Sequence, residues 1–221
     1  MENYFNYLWI FFSYLLGSLP FGYIITKLST KKNILEVGWR KTSGSNVFKN
    51  VGKWQGILTG ILDLGKGFLA VKLSQNFGLS SQIQVISGVA AVTGHNWSLF
   101  LKFAGGRGIG TFIGALLALT PEILGLSLIP LICLALIWNA SIGTILFLIT
   151  VIVLAINFGQ FETTGILTLI SLLPIFIKRL SPIKELSLKK KELIRNRLIF
   201  DNDEACFDLR IKKIIKSLTK A

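Results

Sequence analysis

From residue 108 to residue 177 the chain carries only two charged side chains, Glu122 and Glu162. A helix facing water needs a polar face, so a stretch this long without one belongs in lipid. Further apolar runs lie near 4–26, 54–72 and 82–101, and the long stretch divides into segments near 108–121, 123–138, 140–158 and 163–178. With 52% hydrophobic residues and a mean hydropathy of +0.62, the chain reads as an all-α polytopic membrane protein. About 20 helical residues cross the hydrocarbon core at roughly 1.5 Å each. The first and third segments reach that length. The stretch 109–138 is either one long span or two short helices broken at Thr120-Pro121-Glu122.

Charge decides between these. There are 24 basic and 11 acidic residues, a net +13, and the excess is concentrated in two places. Lys27 to Lys53 holds seven bases and one acid, and Lys178 to the end holds thirteen bases and six acids. Basic loops beside spans mark the cytoplasmic side. With 27–53 cytoplasmic, the N-terminus is outside, and only two helices over 109–138 keep the basic C-terminus inside. About seven transmembrane helices are therefore expected, N-terminus outside and C-terminus cytoplasmic. Residues 1–180 form the membrane domain and 181–221 a basic cytoplasmic tail. In that tail Phe207, Ile211, Ile214, Ile215 and Leu218 recur at helical spacing among lysines, the pattern of an interfacial helix on anionic lipid. Topology alone accounts for the basic charge, so no nucleic-acid partner is implied. Met1-Glu2-Asn3-Tyr4 lacks a positive leader, and the first run reads as a retained span. Cys133 and Cys206 make neither a metal-ligand spacing nor a disulfide framework.

Two polar segments carry candidate chemistry. Gly94 to Thr111 contains His95, the chain's one histidine, then a turn Lys102-Phe103-Ala104-Gly105-Gly106-Arg107-Gly108-Ile109-Gly110-Thr111. Glycines let successive backbone N–H groups curve around an anion, and a following helix adds its N-terminal dipole. Arg107 can hold phosphate oxygens through two N–H groups, and Lys102 adds a point charge. The same turn can also simply join two spans. It lacks the Gly-Lys-Ser/Thr ending of a P-loop. His95 can serve as a general base near neutral pH or as a packed, hydrogen-bonded residue, and no carboxylate lies near it in sequence. The first basic loop crowds Ser43, Ser45, Asn46 and Lys49 into a few residues, a set able to bind phosphate oxygens or simply to face the cytoplasm. Asp63 and Lys66 fall three apart in an apolar run, where they can pair on one helix face.

Together these residues resemble the bacterial acyl-phosphate:glycerol-3-phosphate acyltransferases. Gly17-Ser18-Leu19-Pro20-Phe21-Gly22 is similar to the family's first-span Gly-Ser-Ile-Pro-x-Gly. Asn46-Val47-Phe48-Lys49, Gly52-Lys53 and Asp63-Leu64-Gly65-Lys66-Gly67 keep its spacing, and Gly94-His95-Asn96-Trp97 with Phe100 matches its Gly-His segment. Phe103 to Thr111 is similar to its Phe-Lys-Gly-Gly-Lys-Gly-Val-Ala-Thr loop, to which the family assigns glycerol-3-phosphate. The resemblance covers about residues 8–118. The sequence departs from it in the first loop, where an ungapped alignment puts Trp39 at the family's serine. A gapped one offers Ser43-Gly44-Ser45-Asn46 instead. The glycine loop has Ala104 and Arg107 for two lysines, Ser98 stands for a proline, and the family's late histidine, asparagine and arginine are not visible.

The resemblance implies transfer of an acyl group from acyl phosphate to the 1-hydroxyl of glycerol-3-phosphate at the inner membrane, giving lysophosphatidic acid. Lys102, Gly105, Gly106, Arg107, Gly108 and Thr111 would bind the acceptor. Ser43, Ser45, Asn46, Lys49 and His95 would serve catalysis, unless substrate phosphate itself takes the proton. Membrane lipids are the surroundings, and no metal or organic cofactor is implied. A transporter or flippase for a phosphorylated or lipid solute is the alternative, as is a divergent acyltransferase with another acceptor.

Overall fold

The computed structural model describes residues 2–182 and 191–205, so the apolar pattern at 207–218 lies outside the described residues. All regular structure among them is helical. Helices α1 (Glu2–Ser18) and α2 (Phe21–Thr30) form one apolar rod interrupted at Leu19-Pro20. Pro20 has no N–H and cannot continue the α1 ladder. A loop with a 3-10 turn at Ile34–Glu36 leads to short α3 (Gly44–Asn50) and then to α4 (Lys53–Asn76) and α5 (Ser81–Asn96). After the glycine turn come α6 (Ile109–Leu119), α7 (Pro121–Ile137) and α8 (Ala140–Asn157). A π-helical turn, Phe161–Gly165, runs into α9 (Ile166–Arg179), and α10 (Lys191–Phe200) follows.

The break expected at Thr120-Pro121 is present. Pro121 opens α7 in its first turn, where its missing N–H would have had no partner anyway. The segment expected over 82–101 ends earlier as a helix, at Asn96.

Large apolar side chains such as Leu8, Ile129, Leu136, Ile156 and Leu173 are exposed, while Ser13, Thr59, Ser87, Ser127 and Ser171 are buried. That is the reverse of a water-soluble protein. Several of the buried hydroxyls bond to the carbonyl one turn back, as Thr59 does to Gln55 at 2.8 Å and Ser87 to Ile83 at 2.7 Å. Three helical stretches, Tyr4–Thr30, Ala140–Asn157 and Phe161–Arg179, are long and apolar enough to cross a membrane. The chain is a helical membrane protein.

Phe112 on α6 and Phe147 on α8 meet edge to face at 6.0 Å in the core, with Leu116, Ile123, Val151 and Leu167 around them. The closest helix crossings are built from small residues, which let backbones touch in lipid. A Cβ on Gly67 of α4 would collide with the Thr111 carbonyl of α6, and one on Gly114 with the Leu64 carbonyl. One on Gly94 of α5 would collide with the Tyr14 carbonyl of α1. These crossings set the end of α5 and the start of α6 beside the middle of α4, where the polar residues converge.

Candidate active site

Asp63, Lys66 and His95 form a buried cluster between α4 and α5. Asp63 Oδ1 lies 3.0 Å from Lys66 Nζ and 3.4 Å from His95 Nδ1. Lys66 also donates to the Leu19 carbonyl at 3.0 Å, beside the Pro20 break. A charge at this depth needs such partners. No carboxylate lies near His95 in sequence, and the fold supplies one: residues 32 apart become neighbours where α4 crosses α5.

A carboxylate at Nδ1 fixes an imidazole's orientation. The other nitrogen, Nε2, lies beneath the glycine turn, where a Cβ on Gly106 would overlap it. Gly106 N–H donates to the His95 carbonyl at 3.0 Å, and a Cβ on Gly105 would strike the His95 and Asn96 carbonyls. Asn96 Nδ2 in turn donates to the Pro174 carbonyl of α9 at 2.8 Å. These two glycines seat the turn on the end of α5.

Above this cluster is a cavity of about 850 Å³ between α3, α4, α6, α8 and α9. Of the residues expected at a site, Ser43, Ser45, Lys49, His95, Arg107 and Gly108 line it. The Ser43 and Ser45 hydroxyl oxygens are 3.4 Å apart. Asn46, Lys102, Gly105, Gly106 and Thr111 are not among its lining residues. Asn46 is folded inward: its Nδ2 donates to the Val37 and Lys41 carbonyls at 3.1 and 2.8 Å, and its Oδ1 accepts from Trp39 N–H at 3.0 Å. It shapes the first loop. Lys102 is exposed, and Thr111 is fully buried against α4.

Four basic side chains line the cavity: Lys49, Lys53, Arg107 and Arg179. Trp39 stands between two of them, with Lys49 Nζ 5.1 Å and the Arg107 guanidinium 4.8 Å from its ring. Such contacts hold cations without neutralising them. Arg107 Nε also forms an ion pair with Asp201, just past α10, and its Nη2 donates to the Asp201 carbonyl at 3.4 Å. Asp201 further pairs with Lys41 at 3.3 Å. Burial pushes the Lys41 ammonium down to about 8, against the opposing pull of Asp201. Arg179 closes α9 and donates to the Leu198 and Ser141 carbonyls at 2.7 and 3.1 Å.

The N-termini of two helices complete the polar part, α6 through Gly108, Ile109 and Gly110, and α8 through Ala140 and Ser141. Helix N-termini carry partial positive charge, and α6 has no side-chain cap on its first N–H groups, whereas the Ser141 N–H of α8 is bonded to Asn139 Oδ1 at 2.7 Å. Phe48, Gly56, Ile57 and Gly60 give the cavity an apolar wall. Its α4 lining runs from Lys53 to Asp63, about 15 Å of helix. A cavity so divided suits an anionic head attached to a chain.

Sequence reasoning missed Lys53, Arg179 and Asp201 as lining residues. Arg179 had a signal, as a base closing the last apolar run. Asp201 had none, because the chain returns to the site only after α10.

The sequence profile of the family described as glycerol-3-phosphate acyltransferase matches residues 7–189. A glycerol-3-phosphate acyltransferase of Prochlorococcus marinus (strain MIT 9312) is 40% identical over 147 residues, which cover 65% of this chain and 75% of that protein. Glycerol-3-phosphate acyltransferase 3 of Dehalococcoides mccartyi (strain ATCC BAA-2266 / KCTC 15142 / 195) is 40% identical over 121 residues, 49% of this chain and 56% of the relative. Among solved structures, PlsY (YgiH), an integral membrane glycerol 3-phosphate acyltransferase, in its glycerol 3-phosphate form superposes with a TM-score of 0.75. It is 26% identical, and the match covers 95% of this chain and 98% of that one. Its lysophosphatidic acid form gives a TM-score of 0.70 at 27% identity, over 81% and 90% of the two chains.

Proposed function

The chain belongs to the glycerol-3-phosphate acyltransferase family, and on that premise we propose that the cavity between α3, α4, α6, α8 and α9 is where it joins an acyl group to glycerol-3-phosphate to form lysophosphatidic acid. The observation that carries this reading is the convergence of four basic side chains and two helix N-termini on one cavity with an apolar wall. Phosphate groups need the first, and an acyl chain needs the second.

The donor is an acyl phosphate. Its phosphate sits among Ser43, Ser45, Lys49 and Lys53, with its chain along Phe48, Ile57 and Gly60. The acceptor phosphate sits at Arg107, Gly108 and the start of α6. Fixing both substrates in one cavity makes the reaction effectively unimolecular. The acceptor 1-hydroxyl oxygen attacks the donor carbonyl carbon, and the carbonyl oxygen gains charge facing the cations. The carbon–oxygen bond to phosphate then breaks, and the departing phosphate carries away the hydroxyl proton. His95 lines the cavity, but its Nε2 is packed against Gly106 and its Nδ1 faces Asp63, which supports the phosphate as the proton's destination. His95 and Asp63 then act by holding the glycine turn in place. Asn46 does the same for the first loop.

The chain spans the inner membrane seven times, counting α1 and α2 as one span, with the cavity on the cytoplasmic side. The Lys41–Asp201–Arg107 contacts support this, since they tie the first loop, the glycine turn and the segment after α10 together at one end of the bundle.

Purified protein given acyl phosphate and glycerol-3-phosphate will release inorganic phosphate and yield lysophosphatidic acid in equal amounts. Arg107→Ala will raise the acceptor KM by about tenfold or more, the weight of a charge-assisted hydrogen bond. Turnover indifferent to Arg107→Ala would remove the acceptor from this seat.

A further inference from the structure

Among the described residues, two acids line the cavity, Asp63 and Asp201, and Asp201 is the one set against Arg107. Its side chain is 4% exposed and lies against Arg107 and Lys41. Arg179 is close enough to add to the same field, while Arg197 is paired with Asp203 at 2.6 Å. The other cavity acid, Asp63, is committed to Lys66 and His95 below.

Two features set Asp201 apart from an ordinary surface counter-ion. It occupies the edge of Arg107 that would clasp an oxyanion in bidentate fashion, with its carboxylate on Nε and its carbonyl on Nη2. It also holds a left-handed backbone at φ +52°, a conformation costly for any residue but glycine, asparagine or aspartate. The chain turns sharply after α10 and presents the carboxylate where the two loops meet.

We propose that Asp201 is an internal counter-anion in the acceptor's phosphate seat, and that it sets acceptor specificity by requiring an incoming group charged strongly enough to displace it. A phosphate near neutral pH carries close to two negative charges and outcompetes a single carboxylate for Arg107, the partner of Asp201 that lines the cavity. A monoanionic acceptor such as glycerate gains nothing by the exchange. The carboxylate thus raises the KM for glycerol-3-phosphate while excluding weaker anions. This rests on the reading of the cavity as the acceptor site.

The test compares wild type with Asp201→Asn and Asp201→Gly. Asparagine keeps the shape without the charge, and glycine suits the left-handed backbone, so a folded protein is secured by at least one of them. Both variants should lower the KM for glycerol-3-phosphate roughly threefold or more, the scale of one partly screened ion pair. Both should also begin to acylate glycerate. A KM that is unchanged or raised in Asp201→Gly, with its melting transition retained, would overturn the proposal and leave Asp201 as a clamp between loops. Binding of inorganic phosphate, measured by calorimetry on all three proteins, separates this from a failure of the acyltransferase reading. Wild type inert toward glycerol-3-phosphate refutes that reading, while tighter phosphate binding by the variants would still identify the counter-anion.

Discussion

At the scale of residues, two groups carry distinct predictions. His95 and Gly106 occupy the same space, in that any Cβ on Gly106 meets the imidazole. Gly106→Ala will therefore destabilise the protein by about 1–3 kcal/mol, the usual cost of overpacking, and will lower activity. Adding His95→Ala makes room again, and the double variant will regain both stability and part of the turnover. Thermal melts with phosphate-release assays check this, and a double variant that refolds but stays inert would return His95 to the role of base. Lys41 gives a prediction in pH. Its folded pKa is about 8 and its ordinary value 10.5, because burial disfavours the ammonium. Between those values the unfolded chain holds the extra proton, so this group makes stability rise with pH from 8 toward 10.5, its cost being complete below pH 8. Lys41→Met will flatten that rise in melting temperature.

At the scale of elements, α4 carries the most information. It meets α6 through Gly67, with Gly114 opposite, and it lines the cavity along one side. Its Gly60 is different from these packing glycines. A Cβ there would meet nothing within 4 Å, yet the residue lines the cavity. Glycine inside a helix costs about 0.5–1 kcal/mol relative to alanine, with no packing return here. Gly60→Ala will raise stability by about that amount. Gly60→Leu will instead fill the chain's path and will cut turnover of long-chain acyl phosphates more than that of short ones. Equal losses at all chain lengths would detach Gly60 from the acyl group.

At the scale of the whole molecule, the topology is open to labelling. The turn between α4 and α5 contains exposed Ser80, whose hydroxyl makes no cap bond, and the first basic loop contains exposed Lys32. In a background without Cys133 and Cys206, Ser80→Cys will react with an impermeant maleimide applied to intact cells. Lys32→Cys will react only after the membrane is opened. Matching reactivity at both would refute an odd number of spans between these loops. The sequence alone determined the helical class, the lipid setting and the Thr120-Pro121 break, because apolar length, charge and proline act locally along the chain. It also placed the glycine turn and first loop correctly as polar segments, and it brought Ser43, Ser45, Lys49, Arg107 and Gly108 to notice. Only the tertiary structure paired His95 with Asp63, turned Asn46 inward and brought Arg179 and Asp201 to the cavity. Those contacts arise where helices cross or where the chain returns after α10, and no local pattern of residues encodes which distant carboxylate will meet a given cation.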